Sequence, residues 1–240
     1  MRRLLLFSLS IRNARIRTLV ALGFAMASSL ACADKGLNLA GFEFAKDNSY
    51  FYLGGIQAAS NALGAGLAYR AWLDAGTYQY DKSGSPIDAR YWRVSGAAGY
   101  QSAGERGWWA GYVGAAYQQT SLSPDDPENA SRGGKVNPFV QLEGETQLAP
   151  DLRALLGASY TFGREAYWLR GRIFKSIGAS RRIGAELVLH GDPDYDAAQL
   201  GGLFVLPLDG KTMTIFKAGI RTATGSASSP YGGLEFTRSF

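Results

Sequence analysis

The sequence predicts an all-β fold: an up-and-down antiparallel outer-membrane β-barrel of about twelve strands, preceded by a cleaved signal peptide. Three observations predict it. From about residue 39 to the C-terminus, apolar and polar side chains alternate with a period of two, and helical periodicity is hard to find. The connections between the alternating segments, taken in turn, sort into a longer set and a shorter set, as the external loops and periplasmic turns of such barrels do. The chain opens on an export signal and closes on an aromatic residue, Phe240. Composition agrees: Gly contributes 31 of 240 residues and charged residues only 19%, which suits coiling strands with a lipid-facing side.

The first element is the targeting segment, residues 1–33. Arg2, Arg3, Arg12, Arg15 and Arg17 form a positive region ahead of the apolar stretch "TLVALGFAMASSLA" (18–31). Ala31-Cys32-Ala33 has the small-x-small pattern of a site cleaved after Ala33. A lipoprotein reading, with Cys32 acylated, ranks second because Ser29-Leu30-Ala31 matches poorly the segment that precedes such a cysteine. Cys32 is the chain's one cysteine, so cleavage after Ala33 leaves a mature chain without disulfides, Cys-based metal sites or Cys nucleophiles. The formal net charge of +5 is mild and scattered, which gives nucleic-acid binding little support.

Residues 34–240 form the barrel. "AGFEFA" (40–45) and "YFYLGGIQA" (50–58) read as a hairpin across Lys46-Asp47-Asn48-Ser49. In "GLAYRAWLDAGTYQY" (66–80), Leu67, Tyr69, Ala71 and Leu73 share one face, opposite Arg70, Trp72 and Asp74. In "YWRVSGAAGYQ" (91–101), Trp92, Val94, Ala98 and Tyr100 stand opposite Arg93, Ser95 and Gln101. "WWAGYVGAAYQQ" (108–119) begins aromatic. "KVNPFVQLEGETQL" (135–148) sets Val136, Val140, Leu142 and Leu148 against Gln141, Glu143 and Glu145. "LRALLGASYTF" (152–162), "AYWLRGRIFKS" (166–176), "RRIGAELVLH" (181–190) and three further segments complete the set. The last ends in "GGLEFTRSF", with Leu234, Phe236 and Phe240 on one parity and Arg238 interrupting it. This ending resembles the C-terminal strand that outer-membrane barrels present to their assembly machinery.

With the N-terminus in the periplasm, the connections around 46–49, 81–90, 121–134, 163–165, 191–195 and 223–229 face outside, and the shorter ones around 60–65, 103–107, 149–151, 178–180 and 208–210 face the periplasm. The apolar parity then faces lipid and the polar parity lines the lumen. Arginine on the lipid side at mid-bilayer costs roughly 2–4 kcal/mol, which the polar parity of the strand arginines avoids. The candidate lumen charges are Arg70, Asp74, Arg93, Glu143, Glu145, Arg153, Arg170, Arg172 and Glu186. Paired across the lumen, they either nearly close a pore or line a narrow one. In a soluble sandwich, the alternative, the two faces exchange roles.

Chemistry is sparse. His190, the one histidine, lies near Asp192, Asp194 and Asp196, but no spacing specifies a serine partner, and "GASYTFG" is not a nucleophile elbow. The acidic stretches "SPDDPENAS" and "GDPDYD" lack the spaced ligand pattern of a calcium loop and read as solvated external loops. No catalytic residue, metal or cofactor is predicted. Aromatics beside Arg70 and Asp74 suit a sugar, although interface girdles produce the same composition.

Several segments together resemble one family. "GLAYRAWLDAGTYQYD" (66–81), "GYQ" (99–101), "WAGYVGAAYQQTSLSPDDPEN" (109–129), Gly163-Arg164-Glu165 with "AYWLRGR" (166–172), and "IGAELVLHGDPDYDAAQLGG" (183–202) are similar in order and spacing to the cellulose biosynthesis protein BcsS family of alphaproteobacteria. The resemblance covers about residues 40–222. It implies an exported protein accessory to the biosynthesis or export of cellulose or a related exopolysaccharide, and it brings no catalytic residues. The expected partners are membrane lipid, the outer-membrane assembly machinery, and cellulose or cellulose-synthase components. The alternatives are a generic narrow porin and an outer-membrane lipid- or glycan-modifying enzyme centred on His190.

Overall fold

The computed structural model describes residues 35–59, 62–178 and 180–240. The expected signal peptide lies outside the described residues. Twelve antiparallel strands follow in chain order: β1 (Gly36–Ala45), β2 (Asn48–Ala58), β3 (Ala65–Lys82), β4 (Ser85–Gly104), β5 (Gly107–Ser123), β6 (Gly133–Ala149), β7 (Leu152–Thr161), β8 (Ala166–Ile177), β9 (Arg181–Asp192), β10 (Tyr195–Pro207), β11 (Thr212–Ala223) and β12 (Ser226–Ser239). Each pairs with its neighbours in sequence, and β1 pairs with β12, so the sheet closes into a barrel without free edges. Both ends of the sheet, Gly36 and Ser239, lie at the same end of the barrel, which is the periplasmic end in this class.

Register carries the alternation around the barrel. Leu67, Val94, Val113, Val136, Leu142, Leu156, Leu169, Leu187, Leu200 and Ile220 all point outward and stay exposed. Two aromatic belts bound this apolar surface. Trp92 packs on Tyr117 at 5.3 Å between ring centres, and eight residues further along the same two strands Tyr100 packs on Trp109 at 6.1 Å. Eight residues at about 3.3 Å each, tilted about 40°, span roughly 20 Å, close to the apolar band of an outer-membrane barrel. Arg238 has the outward parity but sits at the last turn of β12, beyond the band, where a charge costs little.

The predicted long loops are corrected in detail. Residues 81–90 and 223–229 are mostly strand. Ser83 and Gly84 take φ of 56° and 80°, which makes a two-residue type I′ hairpin turn, so β3 and β4 continue almost to its tip. Of the outer connections only residues 124–132 form a long loop. The asymmetry lies in the strands instead. β3–β6 run to 17–20 residues, whereas β1, β2 and β7 have 10 or 11. The outer ends of β3–β6 therefore rise as a wall above their neighbours.

Candidate functional site: the barrel interior

The interior is filled in three storeys. In the central storey, Arg172 on β8 donates from Nη1 and Nη2 to the two oxygens of Glu235 on β12, at 2.8 and 2.6 Å, and pairs with Glu186 on β9. Lys217 on β11 reaches Glu43 on β1 at 2.8 Å and Glu235 at 3.1 Å, and Gln199 on β10 donates to Glu43. None of the side chains of Arg172, Glu186, Glu235, Lys217 and Glu43 is more than 7% exposed. Side chains lining a water-filled pore would be wet, so this half of the lumen is a dry, ion-paired plug. Buried charges persist there because each has an opposite charge within bonding distance.

The half of the central storey built from β3–β8 differs. Asp74, fully buried, accepts from Nε of Arg93 at 2.9 Å, yet the Arg93 side chain keeps 32% of its surface. The Arg70 guanidinium stacks 4.1 Å over Trp72, which lies flat on Tyr52 at 5.1 Å and 10°. This stack needs Gly54 on the neighbouring strand, where a Cβ would fall inside the Trp72 ring. Arg170 lies 5.0 Å over Trp168 and 3.8 Å from Glu235, with 23% of its side chain exposed. The Nε atoms of Arg70 and Arg170 are buried without a hydrogen-bond partner. Glu143 accepts from Gln141 at 3.0 Å, and Glu145 pairs with Arg153 at 2.6 Å nearer the periplasmic rim.

Of the charges picked from the sequence, the fold thus brings together Asp74 with Arg93, Glu145 with Arg153, and Arg172 with Glu186. Each pair joins neighbouring strands along the wall. The link from β8 to β12 comes from Glu235, which, with Glu43 and Lys217, lies outside the set predicted from the sequence. All three carry the signal used elsewhere, a lone charge between apolar residues: Phe42-Glu43-Phe44, Phe216-Lys217-Ala218 and Leu234-Glu235-Phe236.

The outer storey is a lid. Tyr80, Ile87, Ala89, Tyr195, Ala197 and Ala223 pack together beneath it. Residues 124–132 fold down over them, and Asp126, Asn129 and Ser131 are buried. This corrects the expectation of solvated acidic loops in part: Asp125, Glu128, Asp194 and Asp196 are exposed as expected, but Asp126 and Asn129 are buried. Buried Asp126 has protein donors in place of water, accepting from Tyr80 Oη at 2.8 Å and from the Lys82 ammonium; half-buried Asp192 accepts from Ser131 Oγ at 2.7 Å, and exposed Asp194 from the Ala130 amide at 2.9 Å. The Lys82 ammonium, helped by Tyr80, holds the Asp126 carboxyl below its ordinary range. Arg164, 2% exposed, donates to the carbonyls of Ser131, Gln118 and Gly133 at 2.8–3.4 Å and pins the end of the loop. His190 faces the lumen beneath the lid, with the Tyr195 ring 6.0 Å away.

The periplasmic storey carries two apolar patches on separate walls. Ile56, Ala68, Ala110 and Tyr112 form one, and Phe174, Leu203, Val205 and Ile215 the other. Between them, on β6 and β7, Glu145 and Arg153 leave a polar strip, and the Arg153 side chain is 47% exposed. An open depression of about 410 Å³ lies at the rim beside it, lined by Arg106, Trp108, Trp109, Glu145 and their neighbours.

Comparisons with known proteins agree with this architecture. The family model described as cellulose biosynthesis protein BcsS matches residues 37–240. Among curated proteins none matches by sequence. Solved structures are similar to it at low identity, one of them at a TM-score that shows the shared fold. The translocator domain of the autotransporter NalP from Neisseria meningitidis superposes with a TM-score of 0.50 and 12% identity, over 95% of this chain and 97% of that one. The β domain of the Bordetella autotransporter BrkA gives 0.49 and 11%, over 85% and 98%. The KdgM porin gives 0.49 and 14%, over 85% and 99%.

Proposed function

This chain belongs to the cellulose biosynthesis protein BcsS family, and we propose that it serves cellulose production as an outer-membrane anchor for the polymer rather than as an open exit pore. The fold and the family make it an outer-membrane β-barrel accessory to cellulose biosynthesis. The finer role rests on one observation: the Arg172–Glu186–Glu235–Lys217–Glu43 layer, buried and ion-paired from β8 through β12 to β1, occupies the section of the lumen that a conducted polymer would need. The lid formed by 124–132 lies above it and agrees with the same role. The role is non-catalytic, and its partners are cellulose itself or cellulose-synthase components. Residues 1–33 direct export and residues 34–240 are the mature barrel.

Deleting the gene tests the role. Cell-attached cellulose falls while total cellulose, attached plus released, changes far less. Complementation with the intact gene restores attachment. Unchanged attachment in the deletion strain refutes the anchor.

A further inference from the structure

We infer that the half-open chamber on β3–β8 is a binding site for the end of a neutral glucan chain, entered from the periplasmic side. The inference rests on the anchoring role proposed above and adds where the polymer is held. Four observations carry it.

The first is space with built walls. The chamber keeps exposed polar surface on Arg93 and Arg170, whereas the charged layer beside it is dry. The second is its chemistry. Trp168 stands on β8 with the Arg170 guanidinium over one part of its ring, while Trp72, held between Arg70 and Tyr52, serves as a wall and positions Arg70. The partly exposed Trp168 ring supplies flat apolar surface for the C–H face of a sugar, and the arginines and Glu143 supply donors and acceptors for its hydroxyls. The unpartnered Nε atoms of Arg70 and Arg170 are donors that a hydroxyl oxygen can satisfy. The third is charge. Arg70, Arg93, Arg170, Arg172 and Lys217 are matched across the storey by Glu43, Asp74, Glu143, Glu186 and Glu235, and the chamber's third arginine, Arg170, lies 3.8 Å from Glu235. A site of paired charges beside an aromatic ring suits a neutral polyol. The fourth is access. The lid closes the outer end, while the Glu145–Arg153 strip runs from the chamber to the periplasmic depression at Trp108.

The test uses the whole barrel folded in detergent, where the periplasmic end is reached freely by solutes. Cellohexaose is titrated while tryptophan emission and heat of binding are followed. Saturable binding is expected. Trp168→Ala weakens it about tenfold, the upper range for losing one aromatic platform. Arg170→Lys, which keeps the charge but loses the planar fork over Trp168, also weakens it. Heat-modifiable gel mobility verifies that each variant is folded, and Arg170→Lys decides the matter if Trp168→Ala does not fold. Three results overturn the site: no saturable binding of cellohexaose, binding unaffected by both folded variants, or tighter binding of a polyanionic hexamer such as hexagalacturonate. Any of these leaves the anchoring role to be decided by the attachment of cellulose in the deletion strain.

Discussion

Replacing Arg172 with methionine is the sharpest test of the buried layer. Met has similar length and no charge, so the packing volume is largely kept while three hydrogen bonds, to two carboxylates, vanish. Glu235 retains Lys217 at 3.1 Å. Glu186 is worse placed: its side chain has no exposed surface, its Oε1 already lacks a hydrogen-bond partner, and Arg172 is its bonded cation. Stranding a buried charge in this way costs about 3–5 kcal/mol, a large share of the roughly 5–15 kcal/mol that holds a domain folded. The assay is urea unfolding of the barrel in lipid vesicles, followed by tryptophan emission and by heat-modifiable mobility. Adding Glu186→Gln to Arg172→Met removes the stranded charge and recovers about 1 kcal/mol or more. A loss below about 1 kcal/mol for Arg172→Met alone would mean that water reaches Glu186, and the dry-plug account would be wrong.

Three further outcomes follow from the same geometry. Val113, 65% exposed and midway between the belts at Trp109 and Tyr117, faces the middle of the bilayer; Val113→Arg lowers stability in vesicles by about 2–4 kcal/mol, and a smaller effect would place it nearer an interface. The Asp126 carboxyl is held below its ordinary range, so the folded state binds fewer protons there than the unfolded one. Its contribution is present above about pH 4 and is lost as pH falls through the depressed value; hydrogen exchange of the 124–132 amides, corrected for the intrinsic pH dependence, should therefore lose protection only at the acid end, and should do so at higher pH in Lys82→Met. Arg164→Met removes the donors to three carbonyls and exposes the lid to external protease on whole cells at neutral pH, with the barrel's own mobility shift unchanged.

The outward half of this fold was easy to read, because lipid tolerates few errors. Leu67, Tyr69 and Leu73, or Val136, Val140 and Leu142, must all face one way, so period two in the sequence gives strand, face and register sense together. The interior was only half legible for the converse reason. A lumen residue is polar whether it bonds along the wall or across it, and parity alone does not say whether Arg172 meets Glu186 next door or Glu235 on β12. Glu43, Lys217 and Glu235 were legible one at a time, but their meeting depends on closure of the barrel. The lid was illegible because Asp and Pro in "SPDDPENAS" describe an exposed loop equally well. What folds it down is Tyr80, Lys82 and Arg164, contributed by β3 and by the β7–β8 connection far away in sequence. The long loops expected at 81–90 and 223–229 failed for a local reason: two-residue turns at Ser83-Gly84 and Thr224-Gly225 let the strands run on.

The central claim is a barrel whose lumen is closed by its own side chains. Single-channel recording of the purified protein in planar bilayers tests it most directly. The account predicts a bilayer that stays silent, without resolved conductance steps, for the intact protein, because the charged layer fills one half of the lumen and the lid covers the outer end of the other. Steady, stepwise conductance from the intact protein would contradict it and make the barrel a pore.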